Sequence, residues 1–234
     1  MDAASTKSRS LSGACILVVG ASGGIGRPLV DALAGRGSRL ALVGRDSSNL
    51  ADVALDGIAT LRFDLGVDTG APRLVAAAAD ALGGLDGVVC CAGAVAFGPL
   101  DKTPIDVLKE IVAVDLVGSL LLARAAIPIL PAGGFILNVS GVVAELPTAG
   151  LVPYSAAKAG ISAGFRALAR EVQPRGLSVI DARPPHTETG LAGRALHGEP
   201  PQMRAGLDPS VVAAELVRAI EDDERDLPAS AFTP

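Results

Sequence analysis

Six short, largely apolar runs, at residues 14–19, 40–43, 59–63, 87–91, 135–139 and 178–182, are separated by longer stretches with helical spacing. A strand that is wet on one face alternates apolar and polar residues, whereas a run without alternation is buried on both faces. Strands buried on both faces and spaced by helices are joined by crossovers, which make neighbouring strands parallel. Helices are expected after Gly24, Pro72, Pro104, Tyr154 and Asp208, with a shorter one near Leu50. The expectation is an α/β protein: one doubly wound, mostly parallel sheet with helices on both faces, spanning residues 13–234 behind a loose polar segment at 1–12. No linker and no repeat of 20 to 50 residues divides the chain. The most loop-like stretch, 183–207, is rich in Pro, Gly and Thr and is expected to be a substrate loop.

Composition narrows the partners. The chain has 234 residues, half of them hydrophobic but only 3% aromatic, so small side chains must pack helices tightly on the sheet. A formal charge of −5, with no block of Lys or Arg and few rings for stacking, argues against nucleic acid and anionic membranes as partners. No apolar run approaches the roughly 18 to 20 residues that span a bilayer, and the polar opening lacks a secretory core. A cytoplasmic location is therefore expected. Cys90 and Cys91 are neighbours on one strand and point to opposite faces, which rules against a disulfide between them. Cys15, His186 and His197 are scattered without metal-ligand spacing, so no metal site is expected.

Two motifs carry chemistry. In CILVVGASGGIGRPLVDAL a strand passes into a helix through Gly20, Ser22, Gly23, Gly24, Ile25 and Gly26. Glycines there let backbone N–H groups and the positive helix end approach a pyrophosphate. Farther on, YSAAK places Tyr154 and Lys158 four residues apart, on one face of a helix. A free phenol has a pKa of about 10, and a neighbouring cation favours its ionised form. The pair can therefore move a proton.

The G-x-x-x-G-x-G spacing, the Tyr154/Lys158 pair and their order along the chain resemble the short-chain dehydrogenase/reductase family, from about residue 14 to about residue 220. The resemblance implies a Rossmann-type fold and hydride transfer between a nicotinamide cofactor and a carbonyl or alcohol carbon, with Tyr154 exchanging the proton and Lys158 lowering its pKa and holding the nicotinamide ribose. It also implies cofactor contacts from Asp64 and Leu65 after the third strand, from Ala92 and Gly93, and from Pro184 and Thr189. Five positions depart from the family pattern. Cys90 and Cys91 stand where two asparagines are usual, and Pro185 stands in place of a glycine. Counting back from Tyr154, the substrate-orienting serine falls on Gly141, with Ser140 one residue earlier. A one-residue insertion before Tyr154 would return that role to Ser140, since its hydroxyl could donate to the carbonyl oxygen; otherwise only the Gly141 N–H could serve. Asp115 occupies the place of an asparagine that anchors a water leading to the lysine, and the alternative is a solvent-facing helix aspartate.

The end of the second strand reads LALVGRD. Gly44 lacks the carboxylate that would repel a 2′-phosphate, and Arg45 offers a bidentate cation, so NADP(H) is expected over NAD(H) unless Asp46 pairs with Arg45 instead. Val142, Val143, Ala144, Leu146 and Leu151 offer an apolar wall to a small or medium hydrophobic ketone, aldehyde or alcohol. The small residues of the Tyr154 helix, with Leu108, Val112, Leu116 and Leu120, suit a homodimer, with a homotetramer as the larger alternative. The departures at Gly141 and Asp115 leave a second reading, a weakened NADP(H)-binding sensor or partner-binding module.

Overall fold

Strand β1 (Cys15–Val19) lies between β2 (Arg39–Gly44) and β4 (Gly87–Cys90), and this placement sets the site. The computed structural model describes residues 8–54, 58–67 and 69–233. With β3 (Ala59–Arg62), β5 (Phe135–Val139), β6 (Ser178–Ala182) and β7 (Asp226–Leu227), the sheet has, among the described residues, seven strands in the order β3-β2-β1-β4-β5-β6-β7. Every pairing is parallel. The chain winds outward in both directions from β1, so a crevice opens beyond the carboxyl ends of β1 and β4.

Side chains alternate between two cores. Leu17 and Val19 pack under α3 (Ala71–Leu82), α5 (Ser119–Ala126) and α6 (Val152–Val172). Ile16 and Val18 pack under α1 (Gly26–Ala34) and α7 (Pro209–Asp222). These helices form where apolar residues recur at helical spacing: Leu29, Val30 and Leu33 of α1 and Val212, Leu216 and Ile220 of α7 are all fully buried. The short α2 (Ser47–Ala51) is started by Asp46, whose carboxylate accepts from the N–H groups of Ser48 and Asn49. Between α4 (Ile105–Val112) and α5 the helix widens into a π-turn over Ala113–Gly118 without breaking.

The sequence signals missed β7, because two residues carry no periodicity; Asp226 and Leu227 become a strand by pairing with Asp181 and Ala182. Of the segment expected to be loose, residues 1–7 lie outside the described residues, but residues 8–12 are docked rather than loose. Arg9 donates to the Ile220 carbonyl and to Asp223, stacks 5.1 Å over the Phe135 ring, and is followed by Leu11 at 3% exposure. A charged fork that reaches a helix end and a buried leucine together outweigh the entropy of a short tail. Among the described residues no helix is long and apolar enough to cross a membrane.

Candidate active site

The glycine turn after β1 sits at the mouth of the crevice. Gly20 has φ +83°, and a Cβ there would come within 2.6 Å of the Ala92 nitrogen after β4. A Cβ on Gly26 would come within 2.1 Å of the Gly20 carbonyl. Both positions therefore demand glycine, and the turn keeps an open backbone face at the start of α1, as a pyrophosphate cradle needs. Gly24 is covered from above: a Cβ there would lie 2.4 Å from Thr189 Cα. The 183–207 segment thus folds over the turn and places Thr189 against it. Its two ends are tied by the Thr187–Leu207 bridge, and its middle is fastened to the stretch after β4 by bonds from Leu196 N to Val95 O and from Phe97 N to His197 O.

Tyr154 and Lys158 share one face of α6, with Lys158 Nζ 5.8 Å from the centre of the Tyr154 ring. The ring is half-buried, against the cluster of Ala96, Ile111 and Ala157. Lys158 is 4% exposed and its ammonium is held at two points, donating to the Val139 carbonyl at 3.0 Å and pairing with Asp115 Oδ1 at 3.0 Å. Asp115 is fully buried on the π-turn and accepts from the Ala94 N–H through both oxygens at 3.3 Å, so it does not face solvent. Gly93 lets the strand end close on this pair, since a Cβ there would meet Asp115 Oδ1 at 2.9 Å. Burial opposes the charge on Lys158, but the contact with Asp115 outweighs it and lifts the lysine above its ordinary range. Burial raises the Asp115 carboxyl and the Tyr154 phenol alike; Lys158 pulls the phenol down, and Asp115 pushes it up again.

Ser140 does not join this group. Its side chain is fully buried and its hydroxyl donates to Asp181 Oδ1 at 2.7 Å. β5 ends at Val139, and Gly141 follows Ser140 with φ +85°. The Gly141 N–H is committed as well, donating to the Ala182 carbonyl at 3.2 Å. The pull on Ser140 comes from a buried network invisible at sequence level. Asp181 also accepts from Ser162 at 2.6 Å and from Arg183 at 2.7 Å, and Arg183 continues to Glu145 and Asp226. These partners are scattered over the chain and meet only because β5, β6, β7 and α6 adjoin.

At the other end of the crevice Gly44 is buried and Arg45 is exposed, with no ion pair to Arg45 among the described residues. Asp46 is spent on capping α2, so it does not neutralise that arginine. Arg62, which the sequence reading passed over, donates from Nε to the Arg45 carbonyl at 3.1 Å. Both arginines line a cavity of about 400 Å³ with Phe63 and Asp64. Asp64 uses Oδ1 to accept from Gly66 N, and Leu65 is buried. Pro184 offers its carbonyl to Val142 N, and Pro185 its own to the Thr187 hydroxyl. The one signal that could have found Arg62 is its place at the last residue of a strand paired beside Gly44.

The glycine cradle and the unneutralised arginine fit a dinucleotide. The family profile described as short chain dehydrogenase matches residues 14–200. An uncharacterized oxidoreductase of Methylorubrum extorquens is 30% identical over 234 residues, with 92% of this chain and 93% of that protein covered. A glycine betaine reductase of Emericella nidulans is 31% identical over 92% of this chain, which spans only 18% of that longer protein. Among solved structures, a short chain dehydrogenase of Burkholderia cenocepacia in complex with NADP is 25% identical, with a TM-score of 0.80 and coverage of 96% of this chain and 100% of that one. A dehydrogenase/reductase of Sinorhizobium meliloti shares the fold at a TM-score of 0.80, with 24% identity and coverage of 96% and 98%. With its glycine turn, its Tyr154/Lys158 pair and its sheet order, the chain belongs to the short-chain dehydrogenase/reductase family of NAD(P)-dependent oxidoreductases.

Proposed function

We propose that this enzyme reduces a small or medium hydrophobic ketone or aldehyde with NADPH, with Tyr154 as the proton donor. The observation that carries the reading is Lys158, a buried ammonium fixed at two points beside the phenol. Gly20, Ser22, Gly23, Gly24, Ile25 and Gly26 would hold the pyrophosphate; Asp64, Leu65, Ala92 and Gly93 would border the adenosine and central part. Pro184 and Thr189 would border the nicotinamide. When bound, the nicotinamide supplies the reducing equivalent. The third N–H of the Lys158 ammonium is left to hold the ribose, since two are used within the protein. Tyr154 donates its proton to the carbonyl oxygen as charge develops there. Gly141 contributes no hydroxyl, and its N–H is occupied, so the orientation of that oxygen falls to the tyrosine. Val142, Val143, Ala144 and Leu151, all half-buried, with the apolar Leu146 at 67% exposure, favour an apolar substrate flank.

The preference for NADPH rests on Arg45, which has no acidic partner, beside a Gly44 with no room for one. A Cβ on Gly44 would already crowd Leu50 at 3.1 Å and the Ser22 hydroxyl at 3.2 Å. Homodimers through α4, the π-turn and α6 belong to the same proposal, supported by Val117 and Leu120 at 45% and 40% exposure, although Leu116 and Leu120 also pack within the chain over Gly160 and Gly164. The test is titration of cofactor fluorescence followed by turnover on a panel of hydrophobic carbonyls. Tyr154→Phe should keep NADPH binding and lose reduction by about 10²-fold or more. Arg45→Ser should weaken NADPH by about tenfold or more and leave NADH unchanged, the loss of one charge-assisted contact. Turnover surviving in Tyr154→Phe would refute the donor assignment, and tight NADPH binding without turnover on any substrate would point to a sensor instead.

A further inference from the structure

The Tyr154/Lys158 pair has a third charged member in direct contact. Asp115 Oδ1 lies 3.0 Å from Lys158 Nζ, with exposures of 0% and 5% for the two side chains. The π-turn turns Asp115 inward by adding a residue to one helical turn, and Gly93 allows the strand end to seal over the contact. A lone cation projects its field onto a neighbouring phenol; a cation in contact with an anion projects only the field of a dipole, which fades faster with distance. Beside the phenol the pair therefore has far less acidifying power than its lysine alone.

We infer that Asp115 is a positioning residue that cancels much of the field of Lys158 at Tyr154, keeping the tyrosine a protonated donor and biasing the site toward carbonyl reduction over alcohol oxidation. The bias rests on the reading of Tyr154 as the proton donor; the charge cancellation does not. Among the described residues, Lys158 from α6 and Asp115 from the π-turn are the two charged side chains that act on the phenol. Cys90 at the end of β4 and Cys91 after it also feel Lys158, and burial raises both thiols, which keeps them neutral. Leu196 of the 183–207 segment and Ala96 after β4, in the same cluster as the ring, are apolar. The direction agrees with the phenol lying above its ordinary range: burial raises it, Lys158 lowers it and Asp115 raises it. A donor that stays protonated serves reduction across neutral pH, whereas oxidation needs the phenolate as base.

The chain offers an unusually direct test, because Tyr154 is its one tyrosine and it has no tryptophan. Ultraviolet tyrosinate absorbance of the cofactor-free protein therefore reads this phenol alone, with circular dichroism marking the range in which the protein stays folded. Asp115→Asn keeps an oxygen for Lys158 and for Ala94 N but removes the charge, and its phenol should ionise about one pH unit or more below that of the wild type. Asp115→Ser, also uncharged, should shift the same way and serves if the asparagine does not pack. The alkaline fall of the reduction rate should move down in pH by the same amount, and oxidation relative to reduction at neutral pH should rise. Superimposable titrations of wild type and both folded variants would overturn the cancellation. A shifted titration with an unmoved pH profile would overturn the bias, and turnover surviving in Tyr154→Phe would trace that failure to the donor reading.

Discussion

Replacing Asp181 with alanine removes the centre of the buried network that holds the Ser140 hydroxyl. Asp181 is 2% exposed and accepts three bonds, from Ser140 at 2.7 Å, from Ser162 at 2.6 Å and from Arg183 at 2.7 Å. Breaking a buried ion pair from one side costs about 3 to 5 kcal/mol, and each orphaned buried hydroxyl adds about 1 kcal/mol or more. Two things reduce the sum. Arg183 retains Glu145 and Asp226, and the Ser140 hydroxyl retains a 3.3 Å bond to the Ala182 carbonyl. The expected net loss is about 3 to 4 kcal/mol, which for a chain of this size lowers Tm by about 6 to 16 °C. Urea unfolding followed by circular dichroism measures it, with Ser140→Ala as the companion. That variant loses one bond to a charged acceptor, about 1.5 kcal/mol, and should keep its turnover. A loss below about 1 kcal/mol in Asp181→Ala would refute the network as a stabilising unit. A collapse of turnover in a stable Ser140→Ala would return the serine to the reaction.

Two other outcomes follow from the geometry. Gly24→Ala would place a methyl group 2.4 Å from the backbone of Thr189, so the 183–207 segment must lift off the turn; cofactor affinity should fall by about tenfold or more, about 1.4 kcal/mol, and an unchanged dissociation constant by fluorescence would show that the segment moves freely. Burial pushes the Asp223 carboxyl up, but hydrogen bonds from Ser178 and the cations of Arg225 and Arg9 outweigh it and hold it below 3.8. A depressed carboxyl stabilises the fold above its unfolded pKa and loses that contribution as pH falls through its folded value. Asp223→Asn should therefore destabilise at neutral pH and differ little from wild type in strong acid; an equal deficit at both, by urea unfolding, would mean that the charge is irrelevant.

Much of this enzyme was legible before any coordinates. Buried strands lack alternation because both faces are covered, and such local patterns were enough for six of the helices and six of the seven strands among the described residues to be placed. The glycine turn and the Tyr154/Lys158 pair are local too: each depends on residues within one turn or one helix, where spacing alone decides which atoms share a face. What escaped the sequence was long-range. A count of thirteen residues could not show how the Ser140 hydroxyl is used, because that is decided by Asp181 of β6, which accepts from Ser140 and also gathers Ser162 and Arg183. Asp115 read as a water anchor or a solvated helix residue, and the second reading fails, because a π-turn buries it against Lys158. Arg62 joined Arg45 only through the pairing of β2 with β3. The sequence by itself determined the fold and the pairing of Tyr154 with Lys158 on one helix face, since both follow from periodicity and nearest-neighbour chemistry. Tertiary structure alone decided which polar side chains are consumed in holding the sheet together, because a buried hydrogen-bonding group must find a partner and that partner can come from anywhere in the chain.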